Sequence, residues 1–205
     1  MNQKPHILMV HGIFNSGRCF NKMALHFEKQ GYAVHRPTLR PNFGFASLPQ
    51  LSCLVKDYID AHIPEGARLH LIGYSMGGVI LRHLLQDQLG ILVRTLSFST
   101  ISSPHNGSLN AWLLPLPGWV DMRQSSRFLG NLEKGDHQIA RHCKPLSLWT
   151  PLDLVILPQS SSIWSIARNE KYIVSMHPNM IRNRKILDRI TRHILEAEVA
   201  LAKAA

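Results

Sequence analysis

Cysteine is scarce: only Cys19, Cys53 and Cys143 occur in 205 residues, and no two form a C-x-x-C pair. An odd number spaced this widely excludes a disulfide framework or a thiolate zinc site and reads as free thiols in a reducing compartment. No run of about 18 apolar residues is present, so no membrane-spanning helix is implied. The opening MNQKPHILMVHG has one lysine and a short strand-like run, which is not the pattern of a secretory leader, and a cytoplasmic location is expected. There is no G-x-x-x-x-G-K-[ST] loop, no G-x-G-x-x-G and no H-E-x-x-H, so neither a cofactor nor a metal is expected. Internal repeats and low-complexity linkers are missing too. With 45% hydrophobic residues, the chain is expected to form a single domain over 1–205 with a sizeable core. Acidic residues are few, 13 against 23 Lys and Arg, which leaves a net charge of +10. Such a balance favours anionic partners. No nucleic-acid module and no basic stretch interleaved with aromatics accompanies it. The charge is therefore read as a solvated basic surface; no nucleic acid and no obligate protein partner is expected.

What is present is alternation. His6–Val10 reads as a strand, followed by a helix over about 18–30 that stops at Gly31. A strand over 32–36, closed by Pro37, leads through a loop over 40–47 to a helix over Leu48–His62, stopped by Pro64. A strand over 68–72 runs into a helix that begins at Met76, with Gly90 placed to end it. A fourth strand over 94–99 precedes an irregular region over 102–144, of which 108–144 is an insertion beside the site that could act as a small cap. Strands over 146–150 and 172–175 follow, then a helix over about 181–202 with Ile186, Ile190 and Ile194 on one face. Strands that are mostly unbroken apolar runs, separated by helices, predict a mostly parallel sheet of about six strands covered on both faces. In such sheets ligands sit at the carboxyl ends of the strands.

The candidate chemistry lies at those ends. Gly73-Tyr74-Ser75-Met76-Gly77 is a G-x-S-x-G between a strand and an amphipathic helix. The strained strand-to-helix turn crowds the backbone on both sides, and glycine two positions before and after makes room while the Ser75 hydroxyl is lifted clear. Ser75 is the candidate nucleophile. His11-Gly12-Ile13-Phe14 follows the first strand; the Ile13 N–H, with that of Met76, could receive a developing oxyanion, and His11 is expected to shape the loop. An acid and then a base should follow in chain order. Asp153 fits the first role, just past a strand in a loop held by Pro151 and Pro158. Its competitors Asp57, Asp60, Asp87 and Asp188 fall on predicted helices, and Asp121 and Asp136 in the irregular region. Of twelve histidines, His177 directly follows the last predicted strand and is the candidate base, with Asp153 orienting its Nδ1–H. His105 is the rival, but it precedes Asp153 and reads better as a loop-fixing residue. Phe14, Tyr74, Trp112 and Trp119 are the candidate substrate-binding residues. For LNAWLLPLPGWV, around the two tryptophans, two readings stay open: pocket lining or cover, and a loop packed on the main core. Arg182, Arg184, Lys185, Arg189 and Arg192 are read as the wet face of the last helix, a weak contact with an anionic membrane surface being the minor alternative.

The segments VHGIFNSG, IGYSMGG, SSPHNGS, TPLDLVILPQSS and VSMH together resemble the α/β-hydrolase fold, and within it small bacterial lipases and esterases of the lipase A type. The resemblance covers nearly the whole chain. It implies a minimal α/β-hydrolase fold, lacking the first strands of the full fold and with little or no cap, and a triad of Ser75, Asp153 and His177 with Ile13 and Met76 as oxyanion-hole amides. The activity implied is hydrolysis of a small-molecule or lipid carboxylic ester through an acyl-enzyme. An acyltransferase or thioesterase with the same triad is the first alternative, and a non-catalytic membrane-surface binding protein the second.

Overall fold

The computed structural model describes residues 4–204. Residues 1–3 of the opening stretch read above for a leader, and residue 205, lie outside the described residues. Six strands form one sheet in the order β2-β1-β3-β4-β5-β6: β1 His6–Val10, β2 Ala33–His35, β3 Leu69–Tyr74, β4 Thr95–Ile101, β5 Leu146–Trp149 and β6 Arg168–Lys171. Every pairing is parallel. Strand side chains alternate between faces, and β1 shows both being used. Leu8 and Val10 join a core with α2 (Leu48–His62), α3 (Met76–Asp87) and α6 (Arg127–His142). Ile7 and Met9 join a second core with α1 (Asn21–Glu28) and the Ile186, Ile190 and Ile194 stripe of α8 (Arg184–Ala204). A sheet buried on both faces needs apolar residues at successive positions, which is why its strands read as unbroken runs. Among the described residues, no helix is long and apolar enough to cross a membrane.

α2 spans the residues the sequence predicts because its signals are local. The Ser47 side chain accepts the Gln50 N–H, the Gln50 side chain reaches back to the Ser47 N–H, and Pro49 fits the first turn. Where placement depends on distant partners, the structure departs from expectation. The sixth strand lies at Arg168–Lys171, four residues before the predicted 172–175. It is a polar edge strand pinned by side chains: Asn169 bonds the Trp164 N–H and carbonyl, and Glu170 accepts from Arg189 of α8. The apolar run that suggested a strand follows it, with Ile173 exposed. Arg189 is accordingly buried against Glu170 and not on a wet face. Arg182 precedes α8, in the turn after α7 (His177–Met180).

The region 102–144, with its 108–144 insertion, is not irregular. It holds a 3₁₀ turn at Leu109–Trp112, α5 (Pro117–Asp121) and the four-turn α6. Ser126 caps α6 by accepting the Leu129 N–H, and Leu129, Leu132, Asp136 and Ile139 form its buried face. A carboxylate in the middle of that stripe, with Gly130 and Gly135 in the same helix, hides the helical period in the sequence. Nor does Gly90 end the helix that begins at Met76: α3 stops at Asp87, and Gly90 lies within a separate turn, α4 (Leu89–Leu92), that buries Ile91 and Leu92 before β4.

Candidate active site

Ser75 sits between β3 and α3 with φ 54° and ψ −128°, a region that costs a non-glycine residue about 1–3 kcal/mol. Surrounding contacts hold it there. The Ser75 N–H donates to the Ile101 carbonyl at the end of β4 and its own carbonyl accepts the Gly78 N–H. The motif glycines are required by close approach. A Cβ on Gly73 would collide with Gly78, one on Gly77 with the Val10 and His11 carbonyls, and one on Gly12 with the Ser75 side chain. Packed this tightly, the turn has one way to sit, and its serine faces a cleft at the carboxyl ends of the strands.

That cleft has a volume of about 360 Å³ and mostly apolar walls, with Ser75 and His177 both in its lining. The size is near the small end for ligand sites. Asp153 is 1% exposed and lies behind His177, whose Nδ1–H donates to its Oδ2 at 2.7 Å. The other carboxylate oxygen accepts the Val155 and Ile156 N–H groups at 2.9 and 3.0 Å. Burial pushes the Asp153 pKa up, but the hydrogen bond and charge of His177, with those two amides, outweigh it and hold the carboxyl below its usual range. With Nδ1 donating to Asp153, Nε2 is the basic nitrogen of His177. The Tyr74 ring stacks on His177 at 4.9 Å and its hydroxyl donates to the His177 carbonyl, so Tyr74 supports the imidazole as well as lining the cleft. Thr150 ties the two loops together, its hydroxyl donating to the Val174 carbonyl.

The first-strand loop is equally determined. Phe14 has φ 60° and donates its N–H to the Asn42 carbonyl, while the Asn42 side chain donates to the Asn15 carbonyl. His11 shapes the turn: its Nδ1–H donates to the Gly12 carbonyl and its Nε2 accepts the Leu39 N–H. Among the described residues, neither the Ile13 nor the Met76 N–H donates to a protein acceptor. Ile13, Phe14 and Trp119 line the cleft. Trp112 does not: it lies outside the cleft wall, 60% exposed, with the Arg123 guanidinium over its ring at 4.4 Å. The rival His105 is buried behind α3, stacked on Trp164 at 4.4 Å with Nε2 bonded to Thr100 Oγ1. Burial, with Arg82 nearby, holds its pKa well below the usual value. Asp136 is taken by a bidentate pair with Arg82, and Asp121 accepts the Leu48 N–H at the start of α2. Sequence reasoning assigned no site role to Asn15, Cys19, Met122 and Arg182, all of which line the cleft. Asn15 continues the H-G-I-F segment and was within reach of it; the others arrive from segments with no motif.

The sequence over residues 7–192 matches the model of a family described as the alpha/beta hydrolase family. Comparison with curated proteins gives no match. Among solved structures, the chain is similar to the mature lipase BlEst2 of Bacillus licheniformis, with TM-score 0.74 and 15% identity over 95% of this chain and 93% of that one. It is similar to the lin2722 gene product of Listeria innocua, with TM-score 0.68 and 14% identity over 93% and 94% of the two chains. The structure of LipS and LipT, two metagenome-derived lipolytic enzymes, aligns with TM-score 0.66 and 14% identity over 95% and 94%. Identities this low carry the fold alone.

Proposed function

Because the chain belongs to the alpha/beta hydrolase family, we propose that it is a carboxylic ester hydrolase using Ser75, His177 and Asp153. The observation that carries the reading is the 2.7 Å bond from His177 Nδ1 to the buried Asp153, with His177 sharing a cleft with Ser75 on its strained turn. In this mechanism His177 Nε2 removes the Ser75 proton as Oγ attacks the ester carbonyl. The negative charge that develops on the carbonyl oxygen is met by the Ile13 and Met76 amides, each such donor contributing about 10²–10³ in rate. As the tetrahedral intermediate collapses, His177 returns the proton to the leaving alcohol and the acyl group stays on Ser75. Water, deprotonated by the same nitrogen, then releases the acid. Asp153 holds the imidazole in the productive tautomer and stabilises its cationic form. Asp153 is expected to remain ionised throughout.

Hydrolysis of p-nitrophenyl esters from acetyl to long acyl chains, with Ser75→Ala alongside, tests this directly. Wild-type turnover should be greatest for short chains, in keeping with the small cleft, and Ser75→Ala should lose about 10⁴–10⁶ of kcat with its thermal melt intact. Equal rates in the two proteins, or no turnover across the series, would sink the ester-hydrolase reading. Acyl-thioester substrates in the same assay separate the thioesterase alternative.

A further inference from the structure

We propose that the ester held in this cleft carries a negative charge away from its reacting carbonyl, and that Arg182 binds that charge. The inference rests on the hydrolase reading above and narrows its substrate class. The cleft lining combines apolar side chains with a single cationic one. Leu113, Trp119, Met122, Leu154 and Ile156 give the lining its apolar character. Arg182, of the segment after His177, also lines the cleft, close enough to Cys19 and Tyr74 for its charge to act on both.

Among the described residues, Arg182 is the one arginine or lysine in the lining, and no aspartate or glutamate lines the cleft. Among the described residues it belongs to no ion pair. Its backbone is anchored by an N–H bond to the Asn179 carbonyl, five residues past His177 in the chain. The polar groups beside it cannot neutralise it. Burial pushes the Cys19 thiol up to about 12 despite the nearby guanidinium, and pushes the Tyr74 phenol up as well, so both stay uncharged near neutral pH. Arg182 is exposed to solvent, but the apolar walls beside it exclude part of the water that would otherwise screen an entering anion. Its fork of donors matches a carboxylate or a phosphate, which it can hold through two parallel bonds. A protein with net charge +10 also gathers anions toward its surface. The substrate that satisfies this lining has an apolar group, a carbonyl at Ser75 and an anion at Arg182.

The test uses two matched pairs of esters. 4-Nitrophenyl butyrate and 4-nitrophenyl hemisuccinate differ by a carboxylate on the acyl side. 1-Butyrylglycerol and its 3-phosphate differ by a phosphate on the alcohol side. The readout is the ratio of kcat/KM for the anionic ester to that for the neutral one, within each protein. At low ionic strength the wild type should favour the anionic member of at least one pair by about tenfold, the scale of a hydrogen bond to a charged group. The preference should sit mainly in KM and shrink with added salt. Arg182→Gln should bring the ratio to one or below, and Arg182→Lys should keep part of it; the pair that responds shows which side of the ester carries the charge. A wild-type ratio of one or less in both pairs, or a preference that survives Arg182→Gln, overturns the inference. If Ser75-dependent turnover is seen without any charge preference, this inference fails and the hydrolase reading stands. If none of the four esters is turned over, both fail.

Discussion

At the residue scale, the site depends on atoms that are missing as much as on those present. Gly77 has no room for a side chain, because a Cβ there would meet the Val10 and His11 carbonyls, which are backbone and cannot rotate away. Gly90 has nothing within 4 Å of the corresponding position and does not have a positive φ. The same substitution should therefore have opposite signs at the two positions. Gly77→Ala is expected to destabilise by about 1–3 kcal/mol or more through overpacking and to displace the Ser75 turn. Gly90→Ala is expected to stabilise by up to about 1 kcal/mol by restricting the unfolded chain. Urea denaturation of both variants beside the wild type checks the pair; equal midpoints would contradict the packing argument. The glycine of G-x-S-x-G is legible in the sequence as a requirement, but the reason for it is a contact with β1, which the sequence does not display.

At the element scale, α6 is joined to α3, the helix that follows Ser75, by a buried polar cluster. Arg82 of α3 donates two bonds of 2.8 Å to Asp136 of α6 and a third to the His105 carbonyl, and Trp164 Nε1 donates to the same carboxylate at 2.7 Å. Both charged side chains are nearly fully buried. Removing one partner leaves an uncompensated charge, so Arg82→Met should cost about 3–5 kcal/mol. Arg82→Met combined with Asp136→Leu should recover much of that loss, since apolar replacement of both charges is often near neutral. A double-mutant cycle by chemical denaturation measures it, and a double variant as unstable as the sum of the singles would contradict the ion-pair account. This cluster also explains a failure of sequence reading. Asp136 breaks the apolar stripe of α6 at the point where the helix is buried, and only the distant Arg82 shows why a carboxylate belongs there. β6 failed for a related reason: an edge strand fixed by Asn169 and Glu170 side chains has no apolar run to announce it. α2, with a capping box at its start and Pro64 just past its end, was legible to the residue.

At the scale of the whole molecule, the distribution of histidines makes stability sensitive to acid. His6, His11, His35, His70, His83, His105 and His193 all have pKa values lowered chiefly by burial. For His70, bonded through Nδ1 to Ser97, the value falls to about 3. The sign follows from proton counts: below pH 6.5 the unfolded chain takes up protons that the folded protein refuses, so stability is lost as pH falls. His70 alone should contribute a slope of about 1.4 kcal/mol per pH unit between about 6.5 and its folded value. The added positive charge falls on a protein already at +10, where self-repulsion acts in the same direction. Unfolding midpoints measured from pH 7.5 to 4 should therefore decline steeply below 6.5, and His70→Asn should remove about one proton from the slope. A midpoint that stays flat from pH 7 to 5 would contradict this.

Periodicity, caps and the strand-turn-helix around Ser75 are legible without coordinates, because each is a rule acting within a few residues of itself. They were enough for a parallel sheet with a serine at the carboxyl end of β3, and chain order then pointed to Asp153 and His177 as partners. Convergence was decided by the tertiary structure alone. It placed Trp119 in the cleft and Trp112 outside it, buried Arg189 against Glu170, and brought Arg182 and Cys19 together in the cleft lining. Such outcomes depend on which distant segments share a surface once both faces of the sheet are covered. That is a property of packing across the whole chain, and no window of neighbouring residues contains it.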